Sequence, residues 1–416
     1  MTSSPVPRQQ PSLVVRTVLV PDPGTLLDLL PDPEGVAWIR RGDGLVGWGV
    51  AAEVHTFGAD RFADAHRWWQ DAGRHAVVRD EVDLPGTGLV AFGSFAFADE
   101  PGDSRLVVPR VVVGRRNGTT WLTHIGVSSI GSATTLRPAA PPPEPRGVHF
   151  TDGALSGPAW ESQVAEAVRR IGEGRLEKVV LARDLVARTS GPVDVRWPLR
   201  RLAEDYPTCW TFHVDGLFGA TPEMLVRRER GLVTSRVLAG TIRRTGNDAR
   251  DLQLAASLAR SSKDLEEHEY AVRSVADALA PHCTSMNVPE APFVLHLPNV
   301  MHLATDVAGV IEDRATSLEL AAALHPSAAV GGTPTAAATE LIAELEGMQR
   351  GRYAGPVGWI DASGDGEWGI ALRAGLVEGD SVRLFAGCGI VADSDPEAEL
   401  AEAQAKFLPV RNSLTP

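Results

Sequence analysis

Four stretches of this 416-residue chain put ionisable side chains where they could do chemistry. In Pro396-Glu-Ala-Glu-Leu-Ala-Glu-Ala-Gln-Ala-Lys406, Glu399, Glu402 and Lys406 are spaced i, i+3, i+7 and share one helical face. Such a row is either a solvated charged face or one wall of a ligand site. The Gly-punctuated run before it, Phe385-Ala-Gly-Cys-Gly-Ile-Val391, allows close backbone approach to a ligand. In Lys263-Asp-Leu-Glu-Glu-His-Glu269, Glu267 flanks the apolar stripe of a helix, and His268 lies on it as a hydrogen-bonded core residue. A solvated acidic cluster is the plain alternative. Two helices each offering a carboxylate to one point would instead make a hard-oxygen site of the kind Mg²⁺ takes, with several waters retained.

Lys178 enters the apolar strand Leu176-Glu-Lys-Val-Val-Leu-Ala-Arg183. There it either loses hydration, a setting in which an amine can act as a base, or snorkels from a strand edge to water. Glu223 follows Pro222 in Leu217-Phe-Gly-Ala-Thr-Pro-Glu-Met-Leu225. It is a general acid where its surroundings keep it protonated, and a surface glutamate otherwise. Asp361-Ala-Ser-Gly-Asp-Gly366 begins like an EF-hand loop, but Leu372 stands where the bidentate Glu is required, so it reads as a hairpin turn. No P-loop, HExxH, CxxC or GxSxG occurs.

The elements that must hold these residues are legible in outline. Residues 1–137 read as strand-rich. Gly42-Asp43-Gly44 joins Val36–Arg41 to Leu45–Ala51, and Asn117-Gly118 joins Val107–Gly114 to Thr119–Ile125, both hairpin signals. Leu89–Phe97 alternates Gly and apolar residues; Trp38, Trp48, Phe92, Phe95 and Trp121 read as core aromatics. Residues 138–146 form a Pro-rich linker, and 147–416 make up the rest. Ser156 as N-cap and Pro158 in the first turn open a helix to Gly172. A strand at Val179–Ala182 and a helix at Leu199–Tyr206 follow, then the hairpins Trp210–Val214 with Leu217–Ala220 and Met224–Arg228 with Leu232–Val237. One helical region spans Asp248–Leu279 with a stripe of Leu265, Val272, Val275 and Leu279. Strands Val357–Asp361, Gly369–Val377 and Val382–Ala386 precede a closing helix, Pro396–Val410. Clustered strands and many hairpins predict an α+β fold with large antiparallel or mixed sheets layered with helices.

A formal charge of −13 argues against nucleic acid, whose phosphates require a basic surface, but leaves room for a small anionic substrate. No apolar run approaches the ~18 residues of a membrane span, and Met1–Pro11 has no apolar core of a targeting peptide, so a cytoplasmic protein is expected. Cys209, Cys283 and Cys388 are far apart, make no zinc pattern and read as small buried hydrophobes.

Taken in order, these stretches resemble the signature of the chorismate-utilising enzymes: the anthranilate, aminodeoxychorismate, isochorismate and salicylate synthases. The resemblance runs from about Ala154 to Leu414 through GATPE, LAGT (Leu238–Thr241), KDLEEH, MHLAT (Met301–Thr305), LHPSAAVGGTP (Leu324–Pro334), RYAGPVGW (Arg352–Trp359), GDGEWGIALR (Gly364–Arg373) and AGCGIV. It implies the chorismate-binding fold of anthranilate synthase component I, chorismate as substrate, Mg²⁺ as cofactor, and a monomer with no obligatory glutaminase partner. Lys178 matches the base that the water-using members carry, and Ala239 stands where enterobacterial-type aminodeoxychorismate synthases have a nucleophilic lysine. The stretch from Tyr353 to Trp368 resembles isochorismate more than salicylate synthases. The departures are Ser327-Ala328 for Thr-Pro, Cys388 for Ala, and Ala403 for Thr. The implied reaction is water attack at C2 with loss of the C4 hydroxyl, an isomerase activity serving menaquinone or siderophore biosynthesis; salicylate synthesis, then an anthranilate-type reaction, are the alternatives. The implied site has Lys178 as base and Glu223 as acid. Thr241, His302, Tyr353, Arg373, Gly387, Gly389 and Lys406 bind substrate, and Glu267, Glu399 and Glu402 hold the metal.

Overall fold

The structure, a computed structural model, describes residues 12–131, 135–298 and 300–415, without the side chains of Lys263 and Glu267. Its 21 strands among the described residues belong to one connected sheet system. Neighbours run antiparallel, except that Leu13–Leu19 pairs in parallel with Val77–Asp80. The N-terminal strands are built into the same sheets as the rest: Val36–Arg40 pairs with Trp210–Val214, and Val90–Ser94 with Pro356–Asp361. The α+β fold is as expected.

Local chemistry explains the elements that position the site. Ser156 caps the helix Gly157–Gly172 by accepting from the Ala159 N–H, and its face of Trp160, Val164, Ala167 and Ile171 is buried. Asp395 likewise caps the last helix, Pro396–Leu414, from its side chain to the Ala398 N–H. The strand Lys178–Arg188 pairs from Val179 to Arg188 with Ser381–Ile390, while Lys178 pairs with Thr333, and this aligns the Lys178 strand with the Gly387–Gly389 backbone. Trp38, Phe92, Phe95 and Trp121 are buried as expected, whereas Trp48 is half-buried. Cys209 and Cys388 are buried, but Cys283 is partly exposed. No helix among the described residues is long and apolar enough to cross a membrane.

Two elements differ from expectation in ways that matter. The single helical region 248–279 is two helices, Asp248–Leu258 and Ser262–Leu279, because Ser261 caps a new start by accepting from the Asp264 N–H. The strand expected over Gly369–Val377 is two, Gly366–Ile370 and Ala374–Glu378. Arg373 lies at the break with φ of 49°, a left-handed backbone that costs a non-glycine residue about 1–2 kcal/mol. That turn takes Arg373 out of the ladder.

Candidate active site

One cavity of about 200 Å³ collects almost every residue that the sequence marked. Lys178, Glu223, Thr241, His302, Tyr353, Arg373, Gly387, Gly389, Glu399, Glu402 and Lys406 all line it. Glu267 is the exception, since its side chain lies outside the described residues; its helix contributes Asp264 to the wall.

Glu223 is buried just before the strand Met224–Glu229. Burial pushes its carboxyl up to about 8, and the charges of Arg373, Lys178 and Lys406 only partly counter that rise. A carboxyl titrating there carries its proton at neutral pH. Lys178 is also buried, at 7% exposure, on the strand that Arg350 and Glu346 clamp. The Arg350 guanidinium donates to the carbonyls of Val180 (2.7 Å) and Val330 (2.8 Å), while a Glu346 carboxylate oxygen accepts from the Ala182 N–H at 2.7 Å. The two side chains pair with each other, both buried. Together they satisfy strand groups within four residues of Lys178 and hold its backbone in place.

On the opposite sheet pairing, Gly240 (φ 75°) makes a bulge that shifts the register of Leu232–Arg243 against Val300–Ile311, bringing Thr241 beside His302. Thr241 Oγ1 lies 3.0 Å from His302 Nδ1, and His302 Nε2 is buried with no hydrogen-bond partner among the described residues. Burial, helped by Arg373 and Lys406, lowers the His302 pKa to about 3, so the ring is neutral. Tyr353 stacks on Phe385 with ring centroids 4.9 Å apart.

The last helix brings the acidic cluster. Lys406 Nζ donates to the Gly387 carbonyl at 2.9 Å and pairs with Glu402 at 2.6 Å. Its pKa is raised above the usual lysine value; burial opposes this, and Cys388 and Glu402 outweigh it. Ser394 Oγ donates to Glu399 at 2.8 Å. Among the described residues, Cys388, Glu399 and Glu402 form a group whose ligating atoms lie within 4.8 Å of one another. Burial holds the Cys388 thiol well above its ordinary pKa, and it donates to the Glu399 carbonyl at 3.4 Å, so the carboxylate oxygens are the donors available to a cation. A hard, oxygen-rich donor set of this kind fits Mg²⁺.

A family model described as chorismate binding enzyme matches residues 34–415. The chain belongs to the chorismate-binding enzymes. Among relatives, it is 38% identical over 321 residues to isochorismate synthase DhbC of Bacillus subtilis, covering 74% of this chain and 77% of the relative. It is also 38% identical over 259 residues to isochorismate synthase MenF of the same organism, covering 61% of this chain and 55% of the relative, so it spans only about half of that protein. MenF, the menaquinone-specific isochorismate synthase from Escherichia coli, superposes with a TM-score of 0.81 at 26% identity, covering 97% and 95% of the two chains.

Sequence reasoning missed several residues of this cavity. Arg350 and Asp264 line it, and Glu346 and Ser394 act on its walls. Asp264 lay within the marked motif and was the nearest available signal. Glu346 and Arg350, spaced i, i+4, look like a surface helix pair until the fold buries them.

Proposed function

We propose that this protein is a Mg²⁺-dependent isochorismate synthase, which adds a water-derived hydroxyl at C2 of chorismate and expels the C4 hydroxyl with an allylic shift. The observation that carries the reading is a buried lysine and a carboxyl titrating near 8 in one small cavity. Lys178 takes a proton from the attacking water. Glu223 gives its proton to the departing C4 oxygen, which leaves as water instead of hydroxide. Arg373, Tyr353 and the Gly387–Gly389 backbone hold the enolpyruvyl carboxylate, the planar guanidinium matching it in two parallel hydrogen bonds. Neutral His302, oriented by Thr241, presents Nε2 to the substrate.

Glu399 and Glu402, joined by Glu267, are the residues that would hold Mg²⁺. Bound there, the ion supplies positive charge to the ring carboxylate of the substrate. Lys406 and Ser394 position the two carboxylates of the last helix. Since water is the nucleophile, the reaction needs no glutaminase subunit to supply ammonia. The isochorismate synthases among its relatives support the same activity, and the product serves menaquinone or siderophore biosynthesis.

Product analysis tests the assignment. Purified protein given chorismate and Mg²⁺ should yield isochorismate without pyruvate, unchanged when ammonium is left out. Salicylate with pyruvate, or an ammonium-dependent aromatic amine, would overturn it.

A further inference from the structure

Lys178 borders two cavities. Beside the inner one lies a second pocket of about 510 Å³, lined by Glu177, Glu266, Tyr270, Thr333, Ala392 and Asp393 among others. Among the described residues, Lys178 and Val391 line both, so these two side chains lie between them. On the outer side, Glu177, Glu266, Ala392 and Asp393 are exposed, as is Tyr270, whereas Lys178 itself is buried.

The proposed reaction makes a demand that the inner cavity meets poorly. Each turnover leaves Lys178 with one extra proton and Glu223 with one fewer, and both must return to their starting state. A ten-carbon substrate bound there displaces solvent from around Lys178 and Glu223, which both line the cavity. Arg350, Arg373 and Lys406 also line that cavity and repel a departing proton; of the carboxylates there besides Asp264, Glu402 pairs with Lys406 and Glu399 accepts from Ser394. The outer pocket is the more acidic: among the described residues Glu177, Glu266 and Asp393 line it with Arg175 and Lys178 itself.

Resting on the isochorismate synthase reading, we propose that the outer pocket is the solvent port of Lys178. The attacking water enters through it. The proton that this water surrenders to Nζ passes on to water in the port and then to bulk solvent, as Glu223 regains its own, so no proton is gained or lost per cycle. Chorismate does not use the port.

Two plugs test this: Val391→Phe at the partition, and Ala392→Trp on the exposed outer wall, which keeps the test alive if the first variant fails to fold. With the wild-type melting temperature retained, kcat should fall on the order of tenfold or more. In Ala392→Trp, whose position lines the outer pocket and not the inner cavity, the chorismate Kd measured by titration with Mg²⁺ present should stay unchanged, and in both variants the solvent deuterium isotope effect on kcat should rise. Unchanged kcat in both variants overturns the proposal. So does a weakened Kd with kcat preserved, which would make the pocket the substrate's mouth. Failure of the underlying reading is distinct, because wild-type protein would then form no isochorismate.

Discussion

Replacing Glu223 with glutamine should move activity and stability in opposite directions. The carboxyl titrates near 8 in the folded chain against an ordinary value of 4.5, chiefly through burial. At 1.36 kcal/mol per pH unit, the folded chain binds this proton about 5 kcal/mol more tightly than the unfolded chain, to order of magnitude. Between these two values the folded state keeps the proton that the unfolded state has lost. The side chain's contribution to stability is therefore intact below about pH 4.5, declines as pH rises, and is lost above about 8. Glutamine has nearly the same shape and no proton to lose. In urea unfolding at pH 5, 7 and 9, Glu223→Gln should gain on the wild type by several kcal/mol as pH rises. The same variant should lose about 10²–10⁴-fold in turnover, because an amide cannot protonate the leaving oxygen. Wild-type kcat/KM should also fall as pH rises through about 8. A stability gap independent of pH, or wild-type turnover in E223Q, would refute the reasoning.

Three further changes probe other parts of the site. Lys178→Ala should lower kcat by about 10²–10⁴-fold while chorismate titration still shows binding; a loss of binding with normal kcat would contradict its role as base. Glu402→Gln should raise the Mg²⁺ concentration needed for half-maximal activity and weaken Mg²⁺ binding in calorimetry, and unaltered metal binding would remove Glu402 from the site. Arg350→Met leaves Glu346 charged and unpaired in the interior, which should cost about 3–5 kcal/mol by denaturant midpoint. A loss below about 1 kcal/mol would mean that the clamp on the Lys178 strand contributes little.

Legibility in the sequence followed how local each signal is. The helix Gly157–Gly172 was readable because its cap, its Pro in the first turn and its apolar period lie within its own residues. The helix Thr335–Leu345 was not, since an Ala-rich run shows little contrast between its faces. The break at Arg373 was hidden because apolar residues flank it on both sides, and only the fold reveals that the arginine adopts a left-handed backbone between two strands. The strand Lys178–Arg188 extends well past the short segment expected, because its length is set by pairing with Ser381–Ile390 some 200 residues away. At the site, the order of the motifs marked nearly all the lining residues, whereas the Glu346–Arg350 clamp and the buried Nε2 of His302 are properties of three-dimensional packing.

The central claim is that Lys178 aims a solvent water at C2. Turnover of chorismate in ¹⁸O-enriched water, with the product read by mass spectrometry and NMR, addresses it most directly. Label at the C2 hydroxyl of isochorismate, absent from the remaining substrate at early times, is the predicted result. Unlabelled product would mean that the new hydroxyl does not come from water and would contradict the account.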